Sequence, residues 1–381
     1  MIKTNLLNSH PQSIFILAGE ESADNHGAKL IKAIQEMNAE INFIGIGGKK
    51  MNQSGLRSLE PIKNLAVMGF VEVVKHLRFF RKLSARILQV ISKESPSHII
   101  LIDYPGFNLR LAKKIKQKFN IPITYYISPQ LWAWKESRVK IVQKYIDQML
   151  VIFPFEESWY RERGVTAYFT GHPMLDDFGV AEKGELCKEL QLESNRPIIT
   201  LYPGSRQQEV EHHLPIMIQA AQKLIQDDKT LQFVLGAATN IHLGKWEIPK
   251  WLKVESQKPR KALKCADLAI TASGTATVEA AIFETPVIIV YKMAVLSWWL
   301  SKIFIKVPYA GMVNIIAGKK IMPELLQGKF TAKYLKETVQ DIFYDEKKLS
   351  EMKEDLRKVK KTLKGKGASH NAAEKILEYM S

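Results

Sequence analysis

Pro197-Ile198-Ile199-Thr200-Leu201-Tyr202-Pro203-Gly204-Ser205-Arg206-Gln207-Gln208-Glu209-Val210 is the stretch from which the architecture can be read. Ile198–Leu201 is a mostly apolar run without polar alternation, the pattern of a strand covered on both faces. Pro203-Gly204-Ser205 breaks the run, and a helical pattern follows from Gln207 to His213. The same design recurs along the chain. Further apolar runs lie at Ile14–Leu17, Ile41–Ile46, Ile99–Ile102, Ile121–Ile127, Met149–Phe153, Phe233–Leu235, Leu268–Ile270 and Val287–Tyr291. Amphipathic stretches such as Gly27–Met37 and Leu109–Phe119 separate them. Short buried strands alternating with helices predict an α/β protein with parallel sheets.

A polar stretch, Asp176–Asn195, interrupts this alternation before Pro197 restarts it. With 381 residues the chain is long enough for two domains. The expected division is a Rossmann-like domain over residues 1–180, a second over 181–345, and a basic helical tail over 346–381, the two domains facing across a cleft. Hydrophobic residues are 46% and charged residues 25%, which is ordinary globular usage and excludes disorder or a coiled coil as the main state. The only cysteines are Cys187 and Cys265, so a disulfide framework and a cysteine-based zinc site are excluded and a reducing cytoplasm is expected. Lys and Arg outnumber Asp and Glu by 55 to 39, a net +16. Residues 346–366 carry nine of the cations and four of the anions, a net +5, which leaves +11 elsewhere. Such a field favours nucleic acid, anionic lipid or phosphorylated metabolites. The opening run Ile14–Leu17 is too short for a signal peptide. Val287–Val307 is broken by Lys292, Lys302 and Lys306 and does not read as a spanning helix.

Two strand–loop–helix junctions carry the sharpest chemical signals. In the first, Gly204 lets backbone approach a ligand, the helix start after it offers N–H groups, and Arg206 adds a fork of donors matched to phosphate oxygens. A tight turn with a surface arginine fits the same residues. The second is Thr271-Ala272-Ser273-Gly274-Thr275-Ala276-Thr277, followed by Val278-Glu279. Its small hydroxylated residues suit either a helix cap or a phosphate, and Glu279 could accept from a ribose hydroxyl. In the first half, Gly19-Glu20-Glu21-Ser22-Ala23-Asp24 follows the first strand, where α/β sheets bind ligands. Asp103, after Ile99–Ile102, fits two roles: general base on a hydroxyl, or cap of the next helix. No G-x-G-x-x-G, P-loop or Asp-x-Asp pattern occurs, and His212-His213 would point to different helix faces. Helix dipoles and Arg206 are therefore the expected charge stabilisers, with no metal and no cofactor.

Two stretches combine basic and apolar residues at helical spacing. Met68–Leu83 has Phe70, Val73, Val74, Leu77 and Phe80 beside Lys75, Arg78, Arg81 and Lys82. Val295–Val307 has Trp298, Trp299, Leu300, Ile303, Phe304 and Ile305 beside Lys302 and Lys306. Each fits a core helix or an interfacial helix on an anionic membrane.

Several segments together resemble the lipid-A-disaccharide synthase family. They include Ala18-Gly19-Glu20-Glu21-Ser22, Gly45-Ile46-Gly47-Gly48, Val67–Val73, Ile102–Asn108 and Tyr126–Trp134. Gly171-His172-Pro173, Pro203–Val210, Ser273–Glu279, Asn314–Gly318 and Pro323–Gln327 continue the match in order. The resemblance implies a GT-B glycosyltransferase. It implies inverting transfer of 2,3-diacylglucosamine from UDP-2,3-diacylglucosamine to the 6-hydroxyl of 2,3-diacylglucosamine 1-phosphate. The products would be a β-1,6-linked disaccharide 1-phosphate and UDP.

The resemblance also implies residue roles. Asp103 matches a catalytic aspartate and Arg206 an essential arginine. Ser22, Gly204, Ser205, Glu209, Ser273, Gly274, Thr275, Ala276, Thr277, Glu279, Asn314 and Gln327 match the donor side. Phe70, Val71, Val73, Val74, Leu77 and Phe80 match an apolar patch that meets acyl chains and membrane. It further implies a homodimer with exchanged C-terminal segments and a peripheral place on the cytoplasmic face of the inner membrane. Two positions depart from the pattern: Ala23 stands where the family has glycine, and Gly106 where it has aspartate. A UDP-N-acetylglucosamine 2-epimerase shares the architecture, but its soluble substrate leaves the basic apolar stretches unexplained. A nucleic-acid-binding protein would need a reading motif, and none is found.

Overall fold

The computed structural model describes residues 12–61, 77–176, 182–294, 307–365 and 367–381. The chain forms two compact units, Met1–Asp176 with Gly365–Ser381, and Asp177–Lys364.

The first unit is built on seven parallel strands: β1 (Ser13–Ala18), β2 (Asn42–Gly47), β3 (Leu56–Pro61), β4 (His98–Ile102), β5 (Ile123–Tyr126), β6 (Gln148–Val151) and β7 (Ala167–Phe169). Their order is β3-β2-β1-β4-β5-β6-β7. Alternate residues of β1 feed two cores. Phe15 and Leu17 pack with Ile99 and Leu101, while Ile14 and Ile16 pack with Ile100 and Ile102. Helices therefore cover both faces, and the strands need no polar alternation.

The second unit repeats the plan with six parallel strands: β8 (Ile198–Tyr202), β9 (Gln232–Gly236), β10 (Leu252–Glu255), β11 (Leu268–Ala272), β12 (Val287–Tyr291) and β13 (Glu324–Leu326). Their order is β10-β9-β8-β11-β12-β13. In both sheets the order reverses beside the first strand, between β1 and β4 and between β8 and β11. Such switch points open a crevice at the carboxyl ends of the strands. Gly19, Asp103, the Pro203–Arg206 loop and the Ser273–Thr277 junction all sit at these ends.

The expected basic tail over 346–381 is not one appendage. The helix Glu346–Thr362 buries Met352, Leu356 and Val359 in the core of the second unit. Its Arg357 Nε and Lys360 Nζ donate to Glu284 at 2.8 and 2.7 Å. The helix Ala368–Met380 belongs to the first unit and buries Ala372, Ala373 and Ile376 there. Asp176 accepts from the amides of Gly367 (2.6 Å) and Ser369 (3.3 Å) and so caps that helix. Charge on the outer faces made both helices look like a tail; their apolar stripes bind them to different cores.

Phe70, Val71, Val73 and Val74, the side chain of Leu77, and residues 295–306 lie outside the described residues. Phe80, expected on the same exposed patch, is instead half-buried. Its ring lies 5.3 Å from that of Phe107, against the first unit's core. Among the described residues no helix is long and apolar enough to cross a membrane.

Candidate active site

In the first unit the chain leaves β4 through two consecutive left-handed residues, Asp103 (φ 45°) and Tyr104 (φ 50°). Non-glycine residues in this region store strain and persist only where their surroundings hold them. Here the Asp103 carbonyl accepts from Asn108 Nδ2 at 2.7 Å and from the Tyr125 hydroxyl, while the Asp103 amide donates to the Tyr126 carbonyl at 3.0 Å. Gly19, after β1, makes room for the turn: a Cβ there would lie 2.4 Å from the Tyr104 ring. The Asp103 carboxyl is pushed up to about 7, first by burial and then by repulsion from Glu20, against a smaller downward pull from the Tyr104 backbone. A carboxyl poised there can hold or take a proton near neutral pH.

The acidic segment after β1 opens the helix Glu21–Met37, with Glu20 as its N-cap. Ser22 is exposed and its hydroxyl donates to Glu20 at 2.8 Å. Asp24 is turned inward and accepts from the amides of Gly48 (2.7 Å), Lys50 and Met51 (both 3.1 Å). It thereby closes the start of the helix Lys49–Gln53. Gly106 has open space around its Cβ direction, so the departure from the family pattern there relieves no crowding.

The segment Ser128–Trp134, after β5, is anchored from below. Trp132 Nε1 donates to Glu156 at 2.9 Å, and the Tyr160 hydroxyl donates to the Pro129 carbonyl at 2.8 Å. Glu156 is fully buried, and burial lifts its carboxyl to about 7 despite the donors around it. Ile127, which starts this segment, is a β-branched residue at φ 62°, another strained position at the carboxyl edge.

In the second unit, Gly204 adopts φ 132° and Arg206 caps the helix Gln207–Asp227. The amides assigned to phosphate from sequence already have a partner. Glu209 Oε2 accepts from Ser205 N (3.2 Å) and Arg206 N (3.4 Å), and Oε1 accepts from Arg206 Nη1 at 3.1 Å. Glu209 thus fills the loop as an anion of the protein's own. The Arg206 side chain remains 80% exposed. An exposed pair of this kind is worth only about 0–1 kcal/mol, so a more highly charged anion can compete for the guanidinium.

At the second junction, Gly274 (φ 134°) caps the helix Thr275–Phe283 without a side-chain bond. Thr275 is exposed and Ala276 half-buried. Two of the hydroxyls read as cap or phosphate ligands have partners within the protein. Ser273 donates to the Ala310 carbonyl, and buried Thr277 donates to the Gly274 carbonyl at 2.8 Å. What faces outward is the helix start itself, with its N–H groups and positive dipole end. Glu279 is buried and its Oε1 accepts from Arg260 Nε at 2.7 Å; burial raises its pKa all the same.

The Asn314 side chain is fully used inside the protein. Nδ2 donates to Met322 O (2.9 Å) and Glu324 Oε1 (2.8 Å), and Oδ1 accepts from the amides of Ile321 and Met322, both at 2.9 Å. It positions Glu324, which accepts from the Ala310 and Gly311 amides beside Ser273. Gln327, at φ 51°, faces the backbone of Met293, with both of its amide bonds at 3.2 Å.

His213 is the residue that sequence reasoning missed. Its ring is fully buried and joins two loops at the carboxyl edge. Nδ1 donates to the Pro203 carbonyl at 2.7 Å, and Nε2 accepts from the Lys292 amide at 2.9 Å. Nε2 also lies 3.1 Å from the Lys292 carbonyl; burial, the largest influence, lowers the pKa of the ring and favours its neutral form. The signal was available: Val210, His213, Leu214 and Met217 share one helical stripe, which makes a lone histidine among them a buried one.

The profile of the lipid-A-disaccharide synthetase family matches residues 14–379 of this sequence. Lipid-A-disaccharide synthase 1 of Legionella pneumophila (strain Philadelphia 1) is 38% identical, over 92% of this chain and 93% of its own length. The chain belongs to the lipid-A-disaccharide synthetase family. The lipid-A-disaccharide synthase of Myxococcus xanthus is 33% identical over 98% of both chains. Solved structures confirm the fold class. A UDP-GlcNAc 2-epimerase from Neisseria meningitidis bound to UDP-GlcNAc covers 96% of this chain and 100% of its own, with a TM-score of 0.65 and 11% identity. A calicheamicin glycosyltransferase covers 98% of each chain, with a TM-score of 0.62 and 12% identity. At such identities the likeness establishes the GT-B fold alone, so the epimerase reading has no support beyond architecture. As a member of the lipid-A-disaccharide synthetase family the chain is a glycosyltransferase of lipid A biosynthesis that uses a UDP-sugar.

Proposed function

We propose that the enzyme transfers 2,3-diacylglucosamine from UDP-2,3-diacylglucosamine to the 6-hydroxyl of 2,3-diacylglucosamine 1-phosphate, without a metal, at an anionic membrane surface. Asp103 takes the hydroxyl proton as the acceptor oxygen attacks the anomeric carbon. The bond from that carbon to the β-phosphate breaks, and UDP leaves with the electron pair. One displacement turns the α-linked donor into a β-1,6 link. Arg206 and the start of the helix Thr275–Phe283 neutralise the departing diphosphate, Thr275 supplies a hydroxyl, and Glu279 accepts from the ribose. Glu209 holds Arg206 and the loop amides until the donor binds.

The observation that carries this reading is Asp103 itself. It stands at a switch point, on strained backbone fixed by three hydrogen bonds, with its carboxyl pushed up to about 7. A structural cap needs neither the strain nor the shifted acidity. Purified enzyme incubated with radiolabelled acceptor and donor in chelator-treated buffer tests the proposal. Disaccharide 1-phosphate and UDP should form in equal amounts; their absence from folded enzyme overturns the reaction, and a requirement for added divalent cation overturns the metal-free version.

A further inference from the structure

Arg260 and Glu279 form an ion pair that stability does not explain. Glu279 stands on a helix whose neighbouring residues Val278, Ala280, Ala281 and Ile282 are all buried. Its side chain is only 8% exposed, and Oε1 accepts from Arg260 Nε at 2.7 Å. Arg260 reaches outward: it lies in the first turn of the helix Pro259–Lys264, and its side chain is 47% exposed. Taking a carboxylate out of water costs about as much as one such pair restores, and an apolar residue of similar volume would suit the core at least as well. The carboxylate therefore has another use.

Its place points to that use. Glu279 follows Thr275 by four residues, so the two side chains share one helix face, about 6 Å apart along the axis. Thr275 is exposed at the helix start, to which the donor's diphosphate is assigned above. A nucleoside diphosphate with its phosphates at that start and its sugar along that face brings its ribose hydroxyls to Glu279. Tyr202, at the end of β8, stands beside the pair. Its ring fills the space over Gly236, where a Cβ would lie 2.4 Å from it, and its hydroxyl feels the charges of both Glu279 and Arg260.

We infer that Arg260 is a positioning residue for the nucleoside half of the donor: it holds Glu279 ionised and aimed, so that the carboxylate accepts from the ribose 2′- and 3′-hydroxyls and the site selects ribonucleotides over deoxyribonucleotides. This rests on the ribose role given to Glu279 above and deepens it. An ionised carboxylate only accepts, so it can receive both hydroxyls, whereas a protonated one brings a donor of its own. Burial pushes Glu279 toward the protonated form, and Arg260 pulls it back. The other ionisable groups on the elements packed around Glu279 are engaged elsewhere or neutral. Lys261 is held by Glu189 at 2.8 Å, and Lys264 lies at the far end of its helix. On the helix Glu346–Thr362, Arg357 and Lys360 are held by Glu284. Tyr291 on β12 feels Glu209 and Arg206 instead, and Tyr202 is driven further from ionising. The helix Met312–Ala317 carries no ionisable side chain.

Full-length enzyme and the variants Arg260→Gln, Arg260→Lys and Glu279→Gln are titrated by calorimetry with UDP and with 2′-deoxy-UDP, at pH 6 and at pH 8. The two ligands carry the same phosphates, so the ratio of their affinities isolates the ribose. The wild type should prefer UDP by about tenfold or more, the worth of a hydrogen bond to a charged group. Arg260→Gln should lose most of that preference at pH 6 and regain part of it at pH 8. The sign follows from the charge: without the guanidinium the pKa of Glu279 rises, and the carboxylate is lost as pH falls through the higher value. Arg260→Lys keeps the charge and should keep most of the preference at both pH values. A wild type that binds both ligands equally overturns the inference whatever the variants do. A folded Arg260→Gln enzyme with the wild-type preference at both pH values overturns it as well, and so does a loss of equal size at both, which packing alone would give. Glu279→Gln separates two failures. If it keeps the wild-type preference, Glu279 does not meet the ribose and the donor reading fails with the inference; if it loses the preference while Arg260→Gln does not, the role of Arg260 alone is refuted.

Discussion

Replacing Glu20 by glutamine should move the acid limb of the enzyme's pH profile. Burial, which the substitution leaves in place, is the larger cause of the raised Asp103 pKa of about 7, and Glu20 is the second. Removing one carboxylate at hydrogen-bonding range is worth about one pH unit, or roughly 1.4 kcal/mol. The sign follows from the role as base: Asp103 works ionised, so the rate falls as pH drops through its pKa. With a pKa of 7 about a tenth of the enzyme is competent at pH 6, and with a pKa of 6 about half, so relative activity at pH 6 should rise about fivefold. The variant's Asp103 is also a weaker base, and its plateau on the alkaline side should fall modestly. Initial rates of disaccharide formation across the neutral range, reduced to kcat/KM, give the profile. A limb that stays where it is in the variant refutes the reasoning, because the group setting it would then be indifferent to Glu20.

Three further substitutions probe the two units. Arg206→Ala should weaken UDP binding by about 10- to 150-fold, the worth of a hydrogen bond to a charged group; calorimetry showing unchanged affinity would contradict the role given to the guanidinium. His213→Ala leaves the Pro203 carbonyl and the Lys292 amide without their buried partner. It should cost about 2 kcal/mol or more of stability in denaturant unfolding, and it should raise the donor KM without raising the acceptor KM. Gly19→Ala places a methyl 2.4 Å from the Tyr104 ring, so it should destabilise by about 1–3 kcal/mol and slow turnover; an unaffected rate would show that the Asp103 turn tolerates displacement.

The strands that were legible in the sequence and those that were not differ by their place in the sheet. The nine apolar runs became β1, β2, β4, β5, β6, β8, β9, β11 and β12. The strands without a signal are β3, β7, β10 and β13, the four outer edges. An edge strand has one neighbour and is less enclosed, as the half-buried residues of β13 show, so its apolar run is short, as in Ala167–Phe169, or mixed with polar residues. The site was legible to the same degree. Gly204, Gly274 and Asp103 were readable because a turn at the end of a buried strand limits what can stand there. The inward bonds of Ser273 and Asn314 were not, because their partners, Ala310 and Glu324, are distant in sequence. Nor did any local pattern show that Glu209 would occupy the loop amides, although its spacing three residues after Arg206 is that of a reciprocal cap.

The central claim is that one acid in the first unit takes the acceptor's proton while the second unit binds the nucleotide. Asp103→Asn tests it most directly, since the amide keeps the shape and cannot act as base. Disaccharide synthesis should fall by about 10²- to 10⁴-fold, while UDP affinity measured by calorimetry stays at the wild-type value. A variant that turns over at the wild-type rate, or one that loses UDP binding along with activity, would contradict the account.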